Sequence, residues 1–326
     1  MSLDLGLRVV FFGTPEFARV VLEGLLSSPH EVVAVAAAPD RPSGRGRKVR
    51  LGPVAAFARE RGIPLIQPAK LDTDARTRLA EFDPDVFAVA SYGLIFGPRS
   101  LAVPRLGAVN AHGSVLPKLR GAAPIERAIM RGFTRTGISI QQMVREVDAG
   151  DVYASREIPI DASENAESLR ARLADVAAEL LPEVLTSIEA GTARAVAQDP
   201  TRATFAPPLL SEERAIRWAE PATATANRVR AFAPRPGAFT VLPEEFGSKR
   251  LKVLDAIPAP EHARAGASPG EVLVASAKEG LVVATGDGAA LKLITVQPEG
   301  KRAMDVAAFL RGHRLAPGLV LGDSAT

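Results

Sequence analysis

Leu106-Gly-Ala-Val-Asn-Ala-His-Gly-Ser-Val-Leu-Pro117 is a short apolar run that ends in a polar pair, Asn110 and His112, and breaks into a Pro-bearing loop. Polar side chains leaving the tip of a buried strand mark the carboxyl edge of a parallel sheet, where α/β proteins assemble their sites. Arg120-Gly-Ala-Ala-Pro124 follows. After room for one helix and one strand comes the acidic loop Glu146-Val-Asp-Ala-Gly-Asp151.

Outward from this stretch, strand and helix signals alternate. Upstream, apolar runs predict strands at 7–12, 31–38, 64–66 and 84–90, beside the fifth at 106–111. Helical patterns lie at 53–61 and 74–81. Downstream, 123–131 reads as a helix, 136–144 and 152–160 as strands, and 164–190 as a long Ala/Leu-rich helix broken near Pro182. Such alternation predicts the α/β class with a Rossmann-like, mostly parallel open sheet. Gly13-Thr-Pro-Glu-Phe17 stands where a nucleotide-binding loop would, but lacks the G-x-G-x-x-G spacing, so a dinucleotide site is rejected. Thr14 is expected to cap the following helix, with Pro15 at its first position.

The pattern changes after Gly191. Residues 191–208 have no clear period and read as a linker between a catalytic domain at 1–190 and a second domain at 209–326. That second part offers a helix at 221–232, five short strands at 238–242, 250–256, 270–274, 280–285 and 290–295, and a helix at 305–311. Gly286-Asp-Gly288 marks a hairpin turn. A smaller OB-like β-barrel is expected.

Composition narrows the chemistry. With no cysteine there is no thiol nucleophile, disulfide or Cys-based zinc site, and four scattered histidines make a His-rich metal site unexpected. No metal is therefore expected. Aromatics are only 5% of 326 residues, so the core should rest on Ala, Val, Leu and Ile. No apolar run reaches the roughly 18 residues of a membrane helix, and no secretory signal opens the chain; a cytoplasmic protein without membrane contact is expected. The net charge of +3 says little, but residues 41–50 hold Arg41, Arg45, Arg47, Lys48 and Arg50 without one acid. Two Pro and two Gly within residues 39–46 argue against regular structure there. Such a run is either a solvated loop or a phosphate-contacting one.

Residues i and i+2 of a strand share a face, so Asn110 and His112 can both meet a ligand above the strand tip. A neutral imidazole accepts a proton near pH 7, and a carboxylate such as Asp148 can orient it. An Asn amide can donate where negative charge develops on a carbonyl oxygen. The trio suggests attack on a carbonyl with no covalent enzyme intermediate, since Ser114 shows no activating neighbour. Each residue also has a plain structural reading, Asp148 as a turn residue above all.

Asn110-Ala-His112, Ser114-Val-Leu-Pro117, Arg120-Gly-Ala-Ala-Pro-Ile125 and Asp148-Ala-Gly-Asp151 together resemble the signature of the 10-formyltetrahydrofolate-dependent formyltransferases. Phe11-Phe-Gly-Thr-Pro-Glu-Phe17, Pro39-Asp-Arg-Pro-Ser-Gly-Arg-Gly46, Ala284-Thr-Gly-Asp-Gly288 and Val296-Gln-Pro-Glu-Gly-Lys301 extend the resemblance over nearly the whole chain, to the branch whose acceptor is methionyl-tRNA. The resemblance implies the formyltransferase fold, 10-formyltetrahydrofolate as co-substrate and initiator Met-tRNA as partner. It places Asn110, His112 and Asp148 on the catalytic triplet. Ser114, Val115, Leu116 and Pro117 fall on a folate-binding loop, with Val115 where the family carries Leu. Tyr92, Gly93, Leu94 and Ile95 fall on a segment lining the pterin pocket. Arg45 falls on the arginine of a mobile loop that enters the tRNA acceptor end, and Arg41, Arg47 and Lys48 join it as tRNA-binding candidates. The C-terminal module is expected to hold the tRNA from its other side. One departure stands out: Pro208-Leu-Leu-Ser-Glu-Glu213 lacks the lysines that family members often carry there, so no tRNA contact is assigned to it.

The expected activity is formyl transfer to the α-amine of methionine on initiator tRNA, by a monomer, with His112 as base, acid or both. Two alternatives remain: a formyltransferase for UDP-sugars or other small amines, needing neither the basic loop nor the barrel, and a non-catalytic RNA-binding protein, needing no Asn110, His112 and Asp148 together.

Overall fold

A computed structural model describes residues 6–43 and 48–322, which fall into two compact units. The first comprises Met1–Pro124, Arg135–Ile158 and Arg170–Ala206, the second Ile125–Thr134, Pro159–Leu169 and Pro207–Thr326.

In chain order the first part of the chain forms β1 (Arg8–Gly13), α1 (Glu16–Leu26), β2 (Glu31–Ala36), β3 (Arg41–Ser43), β4 (Lys48–Arg50), α2 (Pro53–Glu60), β5 (Leu65–Ile66), α3 (Thr73–Ala80), β6 (Val86–Ala90), α4 (Pro98–Leu101), β7 (Ala108–His112), α5 (Pro124–Met130), β8 (Arg135–Gln142), β9 (Val152–Pro159) and α6 (Ala166–Glu189). Seven strands make one sheet in the order β5-β2-β1-β6-β7-β8-β9. The pairs from β5 through β7 are parallel, and β8 runs antiparallel to β7. β1 and β6 are nearly or wholly buried along their length, as strands covered on both faces must be. The chain order reverses between β1 and β6, so the tips of β1, β6 and β7 open at one carboxyl edge, the place where open α/β sheets take ligands. The α/β reading of the sequence holds.

Three local expectations change. Thr14 does not cap α1; Pro15 is the N-cap residue, and the Thr14 hydroxyl accepts from Ala38 N at 3.2 Å, tying the β1 tip to the exit of β2. Residues 39–50 are not devoid of regular structure: β3 and β4 form an antiparallel ribbon pairing Arg41 with Arg50 and Ser43 with Lys48. Pro42 is tolerated because a two-stranded ribbon has free edges where a missing amide costs little. The long helix is not broken: α6 runs through Pro182 to Glu189. The core rests on Ala, Val, Leu and Ile as expected, and the scarce aromatics join it, with Trp218, Phe11, Phe12, Phe87, Phe232 and Phe309 among the largest fully buried side chains.

The second unit carries α7 (Ala222–Phe232), β10 (Ala238–Val241), β11 (Arg250–Pro258), β12 (Val272–Ser276), β13 (Gly280–Ala284), β14 (Ala290–Pro298), β15 (Met304–Asp305) and α8 (Val306–Gly312). Its sheet runs β10-β11-β14-β13-β12, with β15 on β14. Bridges Val241–Gly322 and Glu271–Val320 lay the last described residues between β10 and the start of β12, so the strands close into a small antiparallel barrel. Ile216, Val229, Phe232, Leu251, Val253, Leu281 and Leu291 fill it.

Candidate active site

β7 brings Asn110 and His112 to the carboxyl edge of the first sheet, with Asn110 opposite Gln141 of β8. Gly150 lets the chain return tightly after β8: a Cβ there would lie 1.8 Å from Gln142 O. The loop between them presents Asp148 in the left-handed region, at φ 51°.

Asp148 is the hub. Its Oδ1 accepts from Gln141 Nε2 at 2.7 Å and, at the longer reach of 3.5 Å, from Asn110 Nδ2. Its Oδ2 accepts from Gly121 N at 2.9 Å and lies 3.5 Å from His112 Nδ1. The His112 side chain is only 6% exposed and that of Asp148 13%. His112 Nε2 lies 2.9 Å from Leu119 O. A carbonyl can only accept, so Nε2 carries the hydrogen and Nδ1, on the side of Asp148, is the nitrogen that can exchange a proton. Asn110 keeps one amide hydrogen unused by Asp148. A buried imidazole, an amide donor and a carboxylate thus converge at the mouth of a parallel sheet, an arrangement suited to moving a proton beside a carbonyl oxygen.

The loop after His112 is fixed from behind. Ser114 is 1% exposed and donates to Lys118 O at 2.6 Å, so it is a structural hydroxyl. Leu116 N donates to Ser139 Oγ at 3.0 Å, Ser139 Oγ donates to Ser114 O at 2.9 Å, and Ser155 Oγ lies 2.7 Å from Ser139 Oγ. The Leu116–Pro117 bond is cis. Val115 and Pro117 stay half-buried. At the tip of β6, Tyr92 packs edge-on to Phe12 at 5.3 Å, and its buried hydroxyl has no hydrogen-bond partner among the described residues. Burial pushes that phenol up to about 12. Gly93 is exposed and Leu94 half-buried, while Ile95 is 82% exposed.

Arg45 and Arg47 lie outside the described residues, while Arg41 and Lys48 stand on the backbone of the β3–β4 ribbon. The sequence reading missed Gln141 and Gln198. Gln198 donates to the carbonyls of Asp148 at 2.9 Å and Gly150 at 2.6 Å, and accepts from Arg120. The register of β8 against β7 could have exposed Gln141; nothing local marks Gln198.

Residues 7–185 match the family profile described as Formyl transferase, and residues 208–314 match Formyl transferase, C-terminal domain. The methionyl-tRNA formyltransferase of Bacillus licheniformis is 40% identical over 316 residues, covering 97% of this chain and 98% of the relative. That of Thiobacillus denitrificans is 43% identical over 317 residues, covering 97% and 100%. Among solved structures, an N-formyltransferase from Helicobacter canadensis in complex with folinic acid and dTDP-3-aminofucose has a TM-score of 0.63 at 16% identity, over 90% of this chain and 99% of that one. HypX from Aquifex aeolicus, solved with tetrahydrofolic acid, has a TM-score of 0.63 at 21% identity, over 94% of this chain but only 47% of HypX. At those identities the two structures speak for the fold; the family profiles and the full-length relatives go further, and the chain belongs to the formyl transferase family.

Proposed function

We propose that this protein transfers the formyl group of 10-formyltetrahydrofolate to the α-amine of methionine on initiator Met-tRNA, using Asn110, His112 and Asp148. The observation that carries the assignment is the Asp148 carboxylate, 3.5 Å from both Asn110 Nδ2 and His112 Nδ1 at the β7 tip.

The folate supplies the formyl group. Residues 114–117, braced by Ser139, and the β6-tip residues Tyr92, Gly93, Leu94 and Ile95 are proposed to hold it. Two features fit such a ligand: the exposed apolar Ile95, and the Tyr92 hydroxyl left without a partner among the described residues. The esterified amine loses its proton more readily than a free α-amino group at roughly 7.7–8.0, so it is neutral and nucleophilic at physiological pH. As it attacks the formyl carbon, Asn110 donates its unused amide hydrogen to the oxygen where negative charge develops. His112, held by Leu119 O through Nε2, carries the proton lost by the amine by way of Nδ1 to N10 of the folate as the bond between N10 and the formyl carbon breaks, and Asp148 orients the ring and stabilises its charged form. Fixing both substrates beside these groups supplies much of the acceleration.

The 39–50 segment, with Arg41, Arg45, Arg47 and Lys48, and the C-terminal barrel are proposed to hold the tRNA; for the segment, five basic residues at 41–50 with no acid among them suit phosphates. The proposed domain roles are catalysis in residues 1–190, a linker at 191–208 and tRNA binding in 209–326, with a cytoplasmic monomer as the working form. The test is an acceptor panel: 10-formyltetrahydrofolate with initiator Met-tRNA, free methionine or an amino-sugar nucleotide. Formyl-methionine on the tRNA alone is expected. Preferential formylation of the amino sugar, or none at all, would overturn the reading.

A further inference from the structure

We propose that Arg120 and Gln198 form a clamp that sets the geometry of the Asp148 loop, making both of them positioning residues for formyl transfer; the inference rests on the role given to Asp148 above.

Gln198 spends both ends of its amide. Its Oε1 accepts from Arg120 Nε at 3.0 Å and Nη2 at 2.8 Å. Its Nε2 donates to Asp148 O at 2.9 Å and Gly150 O at 2.6 Å, with Gln141 Oε1 at 3.5 Å. A guanidinium can only donate and a carbonyl can only accept, so the amide has one orientation that satisfies all four contacts. The two carbonyls flank the turn that places Asp148 at φ 51°, a conformation that a non-glycine residue keeps only when its surroundings impose it. Gln198 imposes it from the backbone side, while Gln141 and Gly121 take the carboxylate.

Arg120 joins this loop to the other half of the site. Its neighbour Leu119 offers the carbonyl that holds His112, and its neighbour Gly121 gives Asp148 its amide hydrogen. The side chain between them reaches Gln198 and, among the described residues, has no carboxylate partner. Gln198 is itself held at both sides. Val196 exchanges two backbone hydrogen bonds with Val152 of β9, each 2.9 Å, and Ala206 N donates to Arg120 O at 2.7 Å. Movement of this segment would therefore displace Asp148 relative to His112. A group whose work depends on facing an imidazole loses much of its effect for a displacement of an ångström or less, on the order of a hundredfold in rate.

The test uses the full-length enzyme in a Met-tRNA formylation assay, with folate KM, kcat and melting temperature measured for each variant. Gln198→Ala should lower kcat by about 10- to 100-fold with folate KM little changed. Gln198→Glu keeps a partner for Arg120 but turns an acceptor oxygen toward the Asp148 and Gly150 carbonyls, so it should lose comparable rate while melting near wild type. In an Asp148→Asn background, adding Gln198→Ala should cost little more, because the group being positioned is already gone. Near-wild-type kcat for Gln198→Glu, or an undiminished Gln198→Ala effect in the Asp148→Asn background, would overturn the clamp in favour of a merely structural tie. An inactive wild type would sink the functional reading and the clamp together; an active wild type with a silent Gln198 sinks the clamp alone.

Discussion

Asp148 offers two oxygens to four polar neighbours, Asn110, His112, Gln141 and Gly121, about as many as a carboxylate can serve. Gly150 two residues on sets where those oxygens stand, because its Cα passes so near Gln142 O that no side chain fits. Gly150→Ala should therefore push the loop off its site: turnover should fall at least about 10-fold in a steady-state formylation assay, the cost of misplacing a catalytic group. Unchanged kcat in the Gly150→Ala enzyme would mean that the loop geometry is not what the reaction needs. At this scale the sequence was informative where chemistry is local. The i, i+2 spacing puts Asn110 and His112 on one face of a strand, whereas the turn at Asp148 reads equally as plain turn chemistry, and the roles proposed for the three come from the resemblance. Gln198 is silent, because a glutamine in an irregular segment carries no sign of the carbonyls it meets 50 residues earlier in the chain.

Among the elements, α6 shows how a breaker can be used. Pro182 has no amide for the carbonyl four residues before it, and that carbonyl, Ala178 O, faces α1 at Gly24, where a Cβ would lie 2.5 Å away. Packing against a glycine keeps the helix continuous where propensity alone predicts a break. The β3–β4 ribbon is the converse: two prolines and two glycines within residues 39–46 read as irregular, yet Arg41–Ser43 and Lys48–Arg50 pair in register. Short antiparallel pairing is set by tertiary context more than by propensity, so it was not legible. What was legible is the cluster of charge. Arg45→Ala should lower kcat/KM for Met-tRNA more than for the folate, measured by varying each substrate in turn. Equal losses for both would place this loop at the chemistry rather than on the RNA.

For the molecule as a whole, alternation of strands and helices followed by short strands gave the sheet and barrel classes, whereas the barrel's closure by residues 319–322 depends on long-range pairs that no local pattern encodes. Within the second unit, Arg127 reaches Glu213 with two hydrogen bonds, 2.6 and 2.8 Å, and the Glu213 carboxyl is held below its usual 4.5 by that contact, burial opposing it and Leu210 N adding to it. A carboxylate with a depressed folded value contributes stability above its unfolded value and loses it as pH falls through the folded one. Glu213→Gln should thus lower the melting temperature at neutral pH, with the deficit shrinking as pH falls below about 4. A deficit independent of pH would show that packing, not the ion pair, is what the substitution removes.

The central claim is that the polar residues at the β7 tip perform formyl transfer. The measurement that tests it most directly is turnover of 10-formyltetrahydrofolate and initiator Met-tRNA by His112→Ala, with folate binding titrated on the same preparation. A loss of at least about 100-fold in kcat with folate affinity preserved is expected, the low end of what acid–base catalysis contributes. Near-normal turnover, or a loss that merely tracks weaker folate binding, would contradict it.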